Sequence, residues 1–336
     1  MPLTLTRTLS LSFAVCVAAS GCASAPPLPE GADEVRRAPE PLAHPSDASL
    51  FGLVPAGPRL VIDLNLAEVR TSGWTASLLD VGDAIARANR RAALGYDDAA
   101  DIDRILYAAT VLDASRPTLV IAQGRFQAQL VEEAFRARWA GSTIRLERGI
   151  AVNVSGENAL AFVTPRTFLS GAPADVQAAI DRAFGVGTAL EADPGLGPLW
   201  RALSTAVTGA AGDPAVRAVV VLDRDVRTRV GAVWAVPATV THLGLRLDLG
   251  RALDLGGIAL TADRSAAEAV ARTWATAARG PQVRLLASAI GLGPLLGGLA
   301  IGAEGARVHV STTIDENQRP EINQALRTLV QQIRGS

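Results

Sequence analysis

Lysine is missing from this 336-residue chain, so all 32 basic residues are arginine. With no amine side chain, a Schiff-base lysine, a pyridoxal-phosphate anchor and a phosphate-loop lysine are all excluded. Cysteine occurs twice, histidine three times, and aromatic residues make up only 4%. Neither charge sign is in excess, with 33 acidic residues against the 32 arginines. No basic footprint for a nucleic acid exists, and none is expected as a partner. Gly-x-Ser-x-Gly and His-Glu-x-x-His are absent, which excludes the usual serine-hydrolase elbow and zincin helix. The chain does have apolar material, 49% of its residues with a mean hydropathy of +0.25. At ~150 residues per domain, that supplies cores for about two units.

The first residues read MPLTLTRTLSLSFAVCVAASGCAS, with one early positive charge at Arg7 and an uncharged apolar stretch from Leu9 to Ala19. This is the layout of a secretory signal, and the stretch is shorter than the ~20 apolar residues of a membrane span. It ends in Ala19-Ser20-Gly21-Cys22, which resembles the lipobox of bacterial lipoprotein precursors. The resemblance covers only this segment. It implies a diacylglyceryl group on the Cys22 sulfur, cleavage before Cys22 and a membrane anchor there. Because Ala23, rather than aspartate, follows the cysteine, the resemblance also implies the outer membrane as destination. A conventional signal peptide cut near Cys22-Ala23-Ser24-Ala25 is the alternative. Cys16 lies inside the apolar stretch, so the exported protein would hold no disulfide.

Residues 1–21 are thus expected to be a signal peptide, and 22–50 a lipidated cysteine with a tether holding Pro26, Pro27, Pro29, Pro39, Pro41 and Pro45. Such a segment favours extended polyproline II. Two α+β modules follow, 51–212 and 213–336. In the first, Leu60 to Leu66 alternate as a half-buried strand, and Trp74 to Ala92 carry a helical period. Leu119 to Ala122 form a buried strand, and Leu130, Val131, Ala134 and Phe135 face inward from a helix. A hairpin then turns at Pro165, and a helix runs from Pro173 to Gly185. In the second, strands are expected at Ala218–Leu222, Leu243–Leu249 and Leu253–Leu260. A helix opens with the capping box Ser265-x-x-Glu268, a hairpin turns at Glu304-Gly305, and the last helix buries Ile322, Leu326, Leu329 and Ile333. The shared order of elements suggests a duplication, with antiparallel strands and helices packed on one face of each sheet.

Four features could carry function. The uncharged run from Leu285 to Ala303 is long enough to span a bilayer, but Gly291, Gly293, Pro294, Gly297 and Gly298 argue for a buried helix, a turn and a core strand. Asp97, Asp98, Asp101 and Asp103 lack the ligand ladder of a calcium loop and read as a solvated loop or helix start. Trp74, Trp139, Trp200, Trp234 and Trp274 read as core. Finally, if Leu243, Leu245 and Leu247 face inward, His242, Arg246 and Asp248 face outward. By the same alternation Arg307 and His309 face outward, so neighbouring strands would make one polar patch of the five. Solvated outer-face residues are the alternative to a site.

The resulting expectation is a lipid-anchored envelope protein that binds or scaffolds without catalysis, held at the membrane through Cys22. No cofactor or metal is expected, and the partner is an envelope protein or a hydrophobic ligand. The alternatives are a carrier of acyl chains and a metal-free hydrolase built around His242 or His309.

Overall fold

Alternating and continuous apolar runs pair into one antiparallel sheet. The computed structural model describes residues 50–75, 91–97, 100–111, 118–188, 190–203, 213–224, 226–227, 236–289 and 293–324. Cys22, the tether up to residue 49, residues 76–90, Asp98, Trp234 and Leu326, Leu329 and Ile333 lie outside them. The strands are β1 (Leu60–Asn65), β2 (Ile102–Ala109), β3 (Leu119–Gly124), β4 (Thr143–Glu147), β5 (Ile150–Ser155), β6 (Asn158–Thr164), β7 (Thr167–Gly171), β8 (Val216–Val221), β9 (Val240–Leu249), β10 (Leu253–Thr261), β11 (Ala300–Glu304) and β12 (Arg307–Ile314). The helices are α1 (Leu66–Thr71), α2 (Ala128–Arg138), α3 (Pro173–Ala183), α4 (Leu196–Leu203), α5 (Arg264–Arg279), α6 (Pro281–Ala289) and α7 (Gly293–Gly297).

The twelve strands lie in the order β11-β12-β10-β9-β8-β1-β2-β3-β7-β6-β5-β4. Each half begins as a three-strand meander, β1-β2-β3 or β8-β9-β10. Each then passes through a helix, α2 or α5, and returns a hairpin strand beside the third strand, β7 or β12. β1 pairs with β8 from Leu60↔Val220 to Leu64↔Val216, so the two expected modules share one sheet.

The α+β class and its antiparallel strands are as the sequence indicates, but the helices occupy both faces. Ile121 joins a core with Val176 and Ile180 of α3 and Leu199 and Leu203 of α4. Its neighbour Ala122 joins another with Val131 and Phe135 of α2. Ile258 and Ala259 divide in the same way, Ala259 packing with Val270 and Trp274 of α5. Successive side chains of a strand point to opposite faces, so central strands apolar at both parities bury both. For the same reason Val61 and Asp63 of β1 are the buried residues of a strand whose Leu60, Ile62 and Leu64 are half-buried.

Three local expectations change. The N-cap of α5 is Asp263, whose carboxylate accepts from the Ala266 amide at 2.8 Å, while Ser265 is already inside the helix. Leu130 is exposed on α2, since only Val131 and Phe135 reach the sheet. In the described part of the Leu285–Ala303 run neither a buried helix nor a core strand forms: Leu285 is 74% exposed on α6, and β11 is an edge strand of the sheet. α5 covers one face of the β11–β12 end, and of β11 only Ile301 packs against that core. Among the described residues no helix is long and apolar enough to cross a membrane.

Candidate functional site

Strand alternation places all five expected polar residues on the α3/α4 face, but it does not bring them together. His242, Arg246 and Asp248 are on β9, Arg307 and His309 on β12, and β10 runs between. Nor are they uniformly solvated. Arg246 is only 2% exposed, Asp248 12% and His242 half-buried, because α4 lies across this end of β9. Conversely Leu245, expected inward, is exposed. The approach of α4 depends on Gly244, where an added Cβ would stand 2.9 Å from Leu203 Cδ1 and 3.2 Å from Leu199 Cδ1.

Arg246 is satisfied in place. Its Nε and Nη2 donate to the two carboxylate oxygens of Asp248 at 2.7 and 2.8 Å, and Nη1 donates to the Leu203 carbonyl at 3.3 Å. That carbonyl ends α4, where a helix carries partial negative charge. Opposite Arg246 on β8 is Arg217, which belongs to a second group of charges centred on Asp63. Arg104 Nε and Nη2 donate to Asp63 at 2.8 and 2.7 Å, and Arg217 Nη2 donates to it at 3.3 Å. Arg104 Nη1 also reaches Asp213 at 3.1 Å. The Arg217 guanidinium lies 4.1 Å from the centre of the Trp200 ring, which stacks on Phe51 at 4.1 Å.

Across the junction of the two strand sets, three arginines therefore meet three aspartates. Hydrogen bonding to Asp63 raises the Arg104 pKa above its already high value, whereas burial lowers that of Arg217. Guanidinium groups stay protonated and serve no acid–base step. What the arrangement does is hold β2, β1, β8 and β9 in register and clasp α4 onto them. Asp63, Arg104, Arg217 and Trp200 are the residues that sequence reasoning missed as a group. On β1 there was no local signal, since Asp63 sits at the polar parity of an alternating strand; the available sign was a lone arginine in each of β2 and β8, strands apolar at both parities around Arg104 and Arg217.

His242 sits at the other end of α4. Its Nδ1 is 2.9 Å from Thr241 Oγ1, and a Cβ added to Gly195 would come within 2.7 Å of Nε2. Asp193 Oδ1 accepts from the Gly195 and Leu196 amides at 2.9 and 2.8 Å, satisfying the helix start. Burial lowers the His242 pKa, and nearby Asp193 partly opposes that shift. His309 is separate, with Nε2 3.7 Å from Glu304 Oε2 across the β11–β12 hairpin, and Arg307 is exposed.

The acidic stretch is structured rather than simply solvated. The Asp101 side chain accepts from the Asp97 amide at 2.8 Å, closing a turn. Asp103, on β2, takes Arg70 at 2.7 Å and Arg166 at 3.1 Å, with Arg125 at 4.0 Å. Trp74, Trp200 and Trp274 are buried, and Trp139 packs at the edge of the α2 core. Grooves among the described residues include one of about 450 Å³ beside Arg319 and Asn323 and one of about 490 Å³ between Thr110, Glu157 and Asp175. Among the described residues no three His, Cys, Asp or Glu side chains are grouped to hold a metal ion.

No known protein family and no curated protein matches the chain. Among solved structures it is similar to crystal form III of TP0453, at 13% identity with a TM-score of 0.46, covering 82% of this chain and 97% of that one. Crystal form I of the same protein gives 12% identity and a TM-score of 0.44, covering 82% and 96%. Form IV gives 13% and 0.45, covering 81% and 96%.

Proposed function

We propose that this is a lipid-anchored protein of the cell envelope, with a binding or scaffolding role and no catalytic one. The observation that carries the reading is Ala19-Ser20-Gly21-Cys22 directly after the uncharged stretch Leu9 to Ala19. Support for the non-catalytic part comes from how the polar side chains are engaged. Arg104, Arg217 and Arg246 are bound to aspartates and to α4, and Arg70 and Arg166 to Asp103. His242, on which a hydrolase would draw, has Nδ1 2.9 Å from Thr241 Oγ1 and its ring against Gly195, and His309, the other candidate, faces Glu304 across the β11–β12 hairpin.

Lipidation makes the anchoring strong, since each buried CH₂ contributes ~0.8 kcal/mol and two or more chains on one residue make release negligible. Metabolic labelling with a palmitate analogue tests it. The native chain is expected to take up label and to fractionate with the outer membrane. Cys22→Ala is expected to remain unlabelled and unprocessed at this site. A chain beginning at Ala25, exported by an unrelated cleavable signal, is expected in the soluble periplasmic fraction. Label retained in Cys22→Ala, or the Ala25 chain resisting carbonate washing in the membrane pellet, would overturn the anchor.

A further inference from the structure

The sheet ends in two strands of equal length, β4 and β11, each five residues and each paired on one side only among the described residues. An unpaired strand edge presents a row of backbone donors and acceptors that template a further strand. The two edges of this chain are complementary to one another.

Orientation is the first match. All eleven pairings between β11 and β4 are antiparallel, so the two outer strands run in opposite directions. A second copy placed edge to edge in the same sense continues the antiparallel alternation. Backbone phase is the second match. β4 and β5 are joined by the two-residue turn Arg148-Gly149, and β11 and β12 by Gly305-Ala306. A two-residue turn closes on a hydrogen-bonded pair, here Glu147 with Ile150 and Glu304 with Arg307, after which inward and outward backbone groups alternate. The free groups on β4 are therefore those of Ile144 and Leu146, and on β11 those of Ile301 and Ala303.

Side chains are the third match. Following the register strand by strand puts Ile144, Leu146, Ile301 and Ala303 on one and the same face of the sheet. Ile144 and Leu146 are 54% and 60% exposed, so an added strand would cover them. Placing Leu146 opposite Ile301 of a second copy sets Ile144 opposite Ala303, Arg145 opposite Gly302, Glu147 opposite Ala300 and Thr143 opposite Glu304. All five positions pair, apolar residues meet apolar residues, and no like charges oppose each other. Arg145 falls diagonal to Glu304, within reach of a long side chain.

We infer that β4 of one copy docks on β11 of the next, extending the sheet from molecule to molecule. Such a contact uses different patches on the two partners and propagates as an open chain or a ring. It deepens the scaffolding half of the proposed function and does not depend on the lipid. A failed test would therefore leave the anchor at Cys22 standing.

Cysteine cross-linking in the full-length chain, in isolated envelopes, tests the register. Directly opposed residues in a hydrogen-bonded pair have Cα atoms about 5.5 Å apart, within disulfide range. Ile144→Cys and Ala303→Cys, both at exposed positions, are expressed separately, together and combined in one chain, then oxidised with copper–phenanthroline. Co-expression is expected to give a disulfide-linked dimer that neither single variant gives, and the doubly substituted chain a ladder of multiples. Adding Leu146→Lys is expected to remove most of that product, since an edge lysine blocks strand addition. No dimer on co-expression would overturn the inference. So would dimerisation of Ile144→Cys alone, which would show β4 pairing with β4.

Discussion

Arg104 crosses from β2 to grip both oxygens of Asp63 on β1, at 2.8 and 2.7 Å, where Asp63 is 2% exposed. A carboxylate so buried is tolerable only because two guanidiniums share it, the second being Arg217 of β8. The joint between the two halves of the sheet therefore turns on one aspartate.

Asp63→Asn would leave Arg104 and Arg217 short of a counter-charge in a dry setting. Removing one partner of a buried pair typically costs about 3–5 kcal/mol. Urea denaturation should show the loss as a lower midpoint with an unchanged slope. Replacing the group together, as Asp63→Leu, Arg104→Met and Arg217→Met, should recover most of it. A single variant as stable as the native chain would mean the network contributes little.

Trp200 ties α4 to this network from above, its ring between Arg217 and Phe51. Trp200→Ala removes the stack, the cation–π contact and a buried ring, with an expected cost of about 3–5 kcal/mol. Trp200→Phe should retain more than half of that. Hydrogen exchange offers a local check: amides of α4 should lose protection in Trp200→Ala before those of α5, which packs on the other face.

Acidification should loosen the opposite end of α4. His242 is held below its ordinary pKa by burial, with Asp193 acting the other way. In the unfolded chain it titrates near ~6.5, so below that value and down to its lower folded pKa the unfolded state binds more protons. The stability this histidine contributes is complete above ~6.5 and is lost as pH falls through the folded value. Denaturation midpoints from about pH 7.5 to about pH 5 should drop further for the native chain than for His242→Gln. Equal slopes would show that His242 is not the titrating group.

Much of the local structure was legible along the chain. Pro165 and Glu304-Gly305 marked their hairpins, Pro173 and Gly185 bracketed α3, and Val270 and Trp274 identified the inward side of α5. These follow from turn geometry, proline's fixed φ and helical period, which act within a few residues. The sequence also contains Ala19-Ser20-Gly21-Cys22, a motif read entirely within four residues.

Other features had no local sign. β2 reads IDRILYAA, with no strict alternation, because both its faces are buried and one position carries Arg104. The pairing of β1 with β8 joins residues over 150 positions apart, as does the hydrogen bond from Arg217 to Asp63, 154 residues away. Alternation correctly put Arg246 and Asp248 on the face opposite Leu243, but whether that face met water depended on α4 arriving from residues 196–203. A strand's own sequence determines which side chains share a face. Which face is buried, and which charges find counter-charges there, is decided by elements brought across the fold, since a charge is buried only where its partner also arrives.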